Sequence, residues 1–209
     1  MLVRESMTRD PAVVNGQTPV MEAMQRLREG GYRRLPVVEQ GRLVGIVTDR
    51  DLKEATPSSA TTLSVYELNH LLSRMRVGDV MSTGLVTVAE DDPIEQAALA
   101  MEENRISGLP VVAGERLVGI LTITDLLRAF VGFLALREGG TRVTVDVPDT
   151  PGVLARIARA GPPSNIVAAV TSQPTSANVR RLVLRVVGEG AEGFPERLAS
   201  AGLDVVDVR

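Results

Sequence analysis

The sequence predicts an α+β protein with two copies of a β-α-β-β-α unit and a smaller, ferredoxin-like β-α-β-β-α-β domain after them. The first observation is an internal repeat, in which residue types recur 74 positions apart over about fifty residues without an insertion. The second is that apolar helical stripes alternate with short apolar runs bounded by turn signals. The third is a change of pattern after Gly139-Gly140. Because one unit cannot bury both faces of its sheet, the two copies are expected to pack together.

The first copy, assigned to residues 1–56, opens with a predicted strand at Ala12–Val14. Thr18-Pro19 has the pattern of an N-cap followed by the first residue of a helix, and Gly30-Gly31 would end that helix. The apolar runs Leu35–Val38 and Leu43–Val47 are predicted to be a pair of buried strands.

The second copy, assigned to residues 77–138, repeats this order from a strand at Val86–Val88 and a helix after Asp92-Pro93. Its final helix, from Asp125, is predicted to continue through Leu134. Between the copies, residues 57–76 are an insertion with a turn-rich loop and a helix that Ser64 caps.

After the glycine pair, residues 141–209 alternate strand and helix patterns in the order β-α-β-β-α-β, with helices on one face of an antiparallel sheet. The predicted elements are strand Arg142–Val147, a helix after Pro151-Gly152, strands Ile166–Thr171 and Val179–Val187, helix Ala191–Ala201 and strand Leu203–Val208.

Composition excludes several classes of function. The net charge of −3 and an aromatic content of 2% argue against nucleic-acid binding, which needs a basic face or stacking platforms. There is no apolar run of membrane-spanning length and no leader pattern, so no membrane is expected. The absence of cysteine excludes thiolate metal sites and is consistent with a cytoplasmic location. With a single histidine, His70, no metal or other cofactor site is expected.

The motif Thr-x-x-Asp occurs at Thr48/Asp51 and again at Thr122/Asp125, each time after a predicted strand pair. One interpretation is a helix N-cap with a carboxylate three residues later. The other is a ligand site, because a helix N-terminus suits a phosphate and a carboxylate can accept from two ribose hydroxyls. Recurrence in the same context favours the ligand site.

This doubled pattern resembles a tandem pair of CBS domains, the Bateman module, over Val3 to about Leu136. The resemblance implies a regulatory module that binds AMP, ADP, ATP or a related adenosyl ligand in two clefts between the repeats. Asp51 and Asp125 would hold ribose, and Thr48 and Thr122 would hold phosphate. The remaining nucleotide-binding positions implied are Asp10, Ala12, Tyr32, Arg33, Arg34, Pro36, Arg50, Gly84, Val86, Ile106, Ser107, Gly108, Pro110 and Thr124.

The two clefts are predicted to differ in charge. Arg33, Arg34 and Arg50 are placed with Asp51, so that cleft is expected to prefer polyphosphates or to bind more tightly. The corresponding residues of the second repeat, Ser107, Gly108 and Thr124, are neutral. The alternative is that the three arginines are ordinary solvated surface residues.

The C-terminal domain resembles an ACT domain, in which a turn binds an amino acid or a similar effector, usually at a dimer interface. That likeness implies an effector site at Asp149, Gly152, Val153, Leu154 and Asn165; the alternative is a domain that only dimerises. The order of CBS pair and ACT domain is similar to that of AcuB-type proteins associated with acetoin utilisation.

These features predict a homodimeric allosteric sensor whose last CBS helix, around Ala129–Leu136, passes a ligand signal to the ACT domain or to a regulated metabolic enzyme. No nucleophile elbow, phosphate-binding loop or metal triad is present, so catalysis is not expected. The alternative function is a structural scaffold with empty clefts that serves oligomerisation.

Overall fold

The computed structural model describes residues 1–55, 73–176 and 178–209. Packing divides the chain into two units, Met1–Leu126 and Leu127–Arg209. The predicted loop and Ser64-capped helix of the insertion, with His70, lie outside the described residues, except for its last positions.

Both repeats contain the predicted strand and helix types, which confirms the α+β class. The first has β1 (Thr8–Arg9), α1 (Val20–Gly30), β2 (Arg34–Glu39), β3 (Arg42–Thr48) and α2 (Asp49–Ala55). The second has α3 (Val77–Val80), β4 (Val88–Ala89), α4 (Ile94–Glu103), β5 (Gly108–Ala113), β6 (Arg116–Thr122) and α5 (Ile123–Phe133). The predicted first strand of repeat one, Ala12–Val14, is reduced to a single parallel bridge between Val14 and Val37, and strand β1 before it was not predicted.

The two repeats exchange their first segments. Strand β1 pairs antiparallel with β6 of the other repeat, with Thr8 opposite Ile120, in a sheet of order β1-β6-β5-β4. The corresponding segment of the second repeat bridges β3, where Ser82 and Ile46 exchange two backbone hydrogen bonds of 2.9 and 3.0 Å. Ser82 lies 74 positions after Thr8, and Ile120 lies 74 positions after Ile46, so the exchange follows pseudo-two-fold symmetry. The sequence predicted packing between repeats but not this pairing.

Two glycines make room for the exchanged segments. A Cβ on Gly119 would lie 2.6 Å from Met7 Sδ and 3.0 Å from the carbonyl oxygen of Thr8. A Cβ on Gly45 would clash with the sulfur of Met81 and lie 3.2 Å from the carbonyl oxygen of Ser82. The close approach of neighbouring backbone therefore explains why glycine stands at this place in both repeats.

Helix α1 begins one residue later than predicted. Pro19 is the N-cap and Val20 the first helical residue, while Thr18 Oγ1 accepts from the Asn15 N–H at 3.1 Å and closes the preceding turn. At the second repeat Pro93 is likewise the N-cap, and an oxygen of Asp92 accepts from the Ala89 N–H at 2.8 Å. A side chain bound to the preceding turn does not cap the helix, which explains the shift.

The C-terminal unit has the predicted ferredoxin-like order: β7 (Thr141–Pro148), α6 (Val153–Arg159), β8 (Asn165–Ser176), β9 (Val179–Val187), α7 (Phe194–Ser200) and β10 (Asp204–Val208). Its antiparallel sheet has the order β10-β7-β9-β8. Alternate residues of β7 and β9 are buried with Ile157, Phe194 and Leu198 of the two helices. Across β7 and β9, Arg181 forms a bidentate ion pair with Asp146, in which Nε and Nη2 donate to the two carboxylate oxygens at 2.7 and 2.8 Å.

Candidate functional site

A cavity of about 320 Å³ lies in the N-terminal unit, and both repeats line it. Its position follows from the strand exchange, because Thr8 on β1 and Ile120 on β6 are paired in the sheet that forms one wall. The lining residues are Thr8, Asp10, Pro11, Ala12, Gly31, Tyr32, Arg33, Arg34, Pro36, Ser107, Ile120, Thr122, Ile123 and Thr124.

Both Thr-x-x-Asp motifs cap a helix, as one of the two interpretations predicted. The backbone N–H and the hydroxyl of Thr122 donate to Asp125 Oδ2 at 2.8 and 2.6 Å. At the first repeat, the same two groups of Thr48 donate to Asp51 Oδ2, both at 2.8 Å. Asp125 is buried, whereas Asp51 is half-buried. Thr122 lines the cavity, so its helix cap stands beside the volume that a ligand would fill.

The cavity combines the predicted residues differently from the sequence-based assignment. Arg33 and Arg34 line this cavity with Thr122 and Thr124, whereas the Thr48/Asp51 motif does not. Arg34 is also paired with Thr48 across β2 and β3, and the Arg33 carbonyl accepts from the Asp49 N–H at 3.2 Å, so the assignment of these arginines to the cleft of Asp51 stays a prediction. Their place in the described cavity follows from the exchange of first segments, which brings the Asp10–Ala12 side of repeat one to the end of β6.

The counterpart of the cavity is found by adding 74 to the number of each lining residue from the first repeat and subtracting 74 from the number of each lining residue from the second. This pseudo-symmetry places Thr48 and Arg50 with the segments around Gly84–Val86 and Ile106–Pro110. Arg50 is exposed, and Glu54 accepts from its Nε at 2.7 Å, which raises the pKa of Arg50 through that hydrogen bond. The arginine within the Thr48/Asp51 motif is thus already paired with a carboxylate.

Arg34 crosses from the first repeat to the second. Its Nη1 donates to the carbonyl oxygen of Gly108 at 3.1 Å, and its Nη2 donates to Ser107 Oγ at 2.6 Å. Burial lowers the pKa of Arg34, and the neighbouring charge of Arg33 lowers it further. Within residues 1–55, 73–176 and 178–209, neither arginine forms an ion pair. The wall of the cavity therefore holds two positive charges together with the carboxylate of Asp10.

Tyr32 supplies the aromatic surface of the cavity. Gly31 ends α1 in the left-handed conformation, with φ of 63°, and the Tyr32 N–H then donates to the Leu27 carbonyl at 2.9 Å. The ring lies against Gly30, where any Cβ would overlap it, and 49% of the residue is exposed. A planar ligand ring could stack on this half-exposed face.

The predicted effector residues of the C-terminal unit do not form one site. Asp149 follows Pro148, which is paired with Val179, whereas Asn165 is paired with Val187. The steps from Val179 to Val187 along β9 span about 27 Å at 3.4 Å per residue. Asn165 therefore lies at the opposite end of the sheet from Asp149, and its assignment to the same site is wrong.

The Asp149 carboxylate is also occupied. Arg180 Nε and Nη2 donate to its two oxygens at 3.1 and 2.7 Å. These hydrogen bonds hold the pKa of Asp149 below its ordinary value. Gly152 has φ of 88° with open space around its Cα, Val153 is half-buried, and Leu154 is 54% exposed. The turn is accessible, but an effector amine would have to compete with Arg180 for Asp149.

Sequence reasoning missed five residues that line the cavity: Thr8, Pro11, Gly31, Ile120 and Ile123. Pro11, Gly31 and Ile123 adjoin predicted site residues, so neighbourhood in the sequence could have found them. Thr8 and Ile120 meet only through the strand exchange, for which the sequence carries no local signal. Among the described residues, no helix has the length and apolar character needed to cross a bilayer.

Comparison with known proteins identifies both units. The CBS domain family model matches residues 3–58 and 77–132, more than half of the chain. This chain belongs to the CBS-domain family. The TTHA0829-like ACT domain model matches residues 139–209, so a CBS pair is followed by an ACT domain, as the sequence predicted.

Solved structures similar to the CBS pair include proteins with adenosyl ligands. The CBS domain pair of protein MJ0100, in complex with 5′-methylthioadenosine and S-adenosyl-L-methionine, has a TM-score of 0.53 and 30% identity, and covers 63% of this chain and 97% of its own. CBSX2 in complex with AMP has a TM-score of 0.52 and 33% identity, with coverage of 63% and 96%. An acetoin utilization protein (AcuB) from Vibrio cholerae has a TM-score of 0.55 and 30% identity, with coverage of 66% and 96%.

Among curated relatives, the L-aspartate semialdehyde sulfurtransferase of Methanocaldococcus jannaschii is 32% identical over 133 residues. The match covers 63% of this chain but only 23% of that enzyme. The similarity therefore concerns the CBS pair and not the whole of that relative.

Proposed function

We propose that this protein is a regulatory sensor that binds an adenosyl ligand in the cavity between its CBS repeats. The observation that carries the proposal is the cavity itself, which joins a helix cap at Thr122, the Tyr32 ring and two arginines from the other repeat. Its volume of about 320 Å³ lies in the range of small-molecule sites. The solved CBS pairs with AMP and with 5′-methylthioadenosine support this ligand class.

In this proposal each group of the cavity has a separate task. The ligand's adenine stacks on Tyr32, its ribose hydroxyls lie near the Thr122/Asp125 cap, and its polar substituent faces Arg33 and Arg34. No group among these is arranged as a nucleophile with a base, so the proposed role is binding and not turnover.

Helix α5 is the proposed route by which binding is signalled. Ile123 and Thr124 at its start line the cavity, and its residues from Leu127 onward belong to the second unit. A ligand can change the state of the protein only if it binds two arrangements of these elements with different affinities. We propose that the signalling form is a homodimer, and light scattering on the full chain measures its oligomeric state. We also propose residues 1–56, 77–138 and 141–209 as the functional segments of the chain.

Thermal melting of the full chain with AMP, ADP, ATP, S-adenosylmethionine, 5′-methylthioadenosine and NAD tests the sensor proposal. At one hundred times its dissociation constant, a ligand bound only to the native state adds about 2.7 kcal/mol to the free energy of unfolding. Tyr32→Ala should reduce the shift, while Met21→Ala, equally exposed but outside the cavity, should retain it. No shift with any of these compounds would contradict the sensor and favour the scaffold.

A further inference from the structure

Helix α5 ends at a stop in which alanine takes the usual place of glycine. The last helical residue is Phe133, and Ala135 has φ of 50°, in the left-handed region. The Ala135 N–H donates to the Gly132 carbonyl oxygen at 2.9 Å. The Leu136 N–H donates to the Val131 carbonyl oxygen at 3.2 Å. These two bonds form a Schellman motif, whose left-handed position usually holds glycine because a Cβ is unfavourable there.

The residues after this stop favour continuation of the helix. Residues 134–138 are Leu-Ala-Leu-Arg-Glu, and each of these residue types has a high helix propensity. Gly139 follows them and already has φ of 72°, as the left-handed position of such a stop requires. A helix that continued to Glu138 would make the same motif with Gly139, and Ala135 would return to a helical conformation. The later stop lies four residues further on, which is about 6 Å along the helix axis.

The two stops have opposite advantages. A Schellman motif is commonly accompanied by an apolar contact between the residue after the left-handed position and the residue five positions earlier. At the observed stop these positions hold Leu136 and Val131, whereas at the later stop they hold Gly140 and Ala135. The observed stop therefore has the better apolar pair, and the later stop has the better left-handed residue.

The segment after the stop is fixed to the sheet of the second unit. Gly140 lies against the backbone of β9, where any Cβ would overlap the Val186 carbonyl oxygen. Arg185 Nη1 donates to the Gly139 carbonyl oxygen at 2.8 Å. By contrast, among the described residues the buried core of this unit includes no side chain of α5. A change of stop can therefore move α5 while Gly139 and Gly140 keep their places on the sheet.

We infer that α5 is a two-state element that ends either at Phe133, with Ala135 in the left-handed position, or at Glu138, with Gly139 in that position. Because each stop has the feature that the other lacks, the two states are close in free energy. The change alters the backbone only within residues 134–138. It lengthens the helix that begins at the cavity and shifts α5 along its axis relative to β7. The inference goes beyond the proposed function, because it does not depend on which ligand binds.

Pulsed EPR on the full chain tests this inference. The sequence contains no cysteine, so Leu127→Cys on α5 and Val206→Cys on β10 would carry the only two spin labels of a chain. Both positions are half-exposed, and both belong to the second unit. Labelled chains are diluted with unlabelled chains, so that distances within one chain are measured. We expect two distances that differ by up to about 6 Å, the rise of four helical residues.

Two variants of the labelled chain should shift the proportions of these distances in opposite directions. Ala135→Gly suits the left-handed position and weakens the longer helix, so it should change the ratio by about fivefold in favour of the shorter helix. Leu136→Ala removes the apolar pair of the observed stop and should favour the longer helix. The control Leu99→Ala, the same substitution at a comparably exposed position of α4, should leave the ratio unchanged.

The outcomes decide the inference without reference to a ligand. A single distance in the labelled chain and in both variants would overturn it, because α5 would then have one stop. Two distances whose ratio responds to neither variant, or responds equally to Leu99→Ala, would also overturn it, since the motion would then arise outside this helix end. Neither result concerns the binding of adenosyl compounds, so the proposed sensor would stand.

Discussion

The two CBS repeats are alike where they are buried and different where they face each other. Leu35 and Leu109, 74 residues apart, are both fully buried, and so are Val37 and Val111. Where the repeats meet, by contrast, Arg34 of the first repeat donates to the carbonyl oxygen of Gly108 in the second. The shared positions preserve the fold of each repeat. The unequal positions make the contact between the repeats asymmetric.

The largest effect should come from the paired core leucines. Leu35→Ala and Leu109→Ala each remove a fully buried side chain and should each lower the free energy of unfolding by about 2–5 kcal/mol. Urea denaturation measures the loss as a lower midpoint. Leu99→Ala, at a position 55% exposed, should change stability by less than about 0.5 kcal/mol. A marked loss of stability in only one of the two core variants would show that the two repeats are not equivalent in their cores.

The next effect concerns the glycines that admit the exchanged segments. Gly45→Ala and Gly119→Ala should each cost about 1–3 kcal/mol, because the added carbon meets a methionine sulfur and a carbonyl oxygen. Gly119→Ala should cost at least as much, since its carbonyl neighbour is nearer, at 3.0 against 3.2 Å.

The control for these variants is Gly132→Ala, within α5, where the added carbon has no neighbour. It should raise the stability by about 0.5–1 kcal/mol through helix propensity. Thermal melting that shows no loss for Gly45→Ala or Gly119→Ala would contradict the close approach of the exchanged segments.

A smaller difference is expected between the two aspartate caps. Asp125→Ala should cost about 2 kcal/mol and Asp51→Ala about 0.5–1 kcal/mol, within the range for lost helix caps. The reason is that Asp125 is buried with its bonds to Thr122, whereas water can replace the half-buried Asp51. Equal losses in chemical denaturation would show that burial does not distinguish the caps.

The sequence contained most of this fold because the repeat is a local signal copied twice. Helix stripes, strand pairs and the Thr-x-x-Asp caps each depend on residues a few positions apart, and all were predictable. The pairing of Thr8 with Ile120 joins segments more than one hundred residues apart. No local pattern distinguishes pairing within a repeat from pairing between repeats, so the exchange was missed.

The differences between the assigned and the observed sites have the same origin. Arg33 and Arg34 were assigned with Asp51 because they share a repeat, and the exchange also brings them to a cavity that Thr122 lines. Asn165 was grouped with Asp149 on the likeness to ACT domains, although the sheet register puts them at opposite ends. The residue types were informative, whereas the combination of elements depended on long-range pairing.

The smallest expected effect tests the contrast between Arg34, whose side chain bonds a carbonyl and a hydroxyl, and Arg180, whose side chain bonds a carboxylate. Hydrogen bonds from Arg180 hold the pKa of Asp149 below its ordinary value of 3.8, so Arg180→Gln should raise it toward that value. NMR titration of the Asp149 carboxyl group measures the change. A lowered pKa means that the Asp149 carboxylate stabilises the fold at a pH above its ordinary pKa. This stabilisation is lost as the pH falls through the lowered pKa. Arg180→Gln should therefore lose less stability on acidification than the unchanged protein. If Arg180→Gln leaves the pKa of the Asp149 carboxyl group unchanged, Arg180 does not bind Asp149 in solution. Asp149 would then be free to bind an effector at this turn.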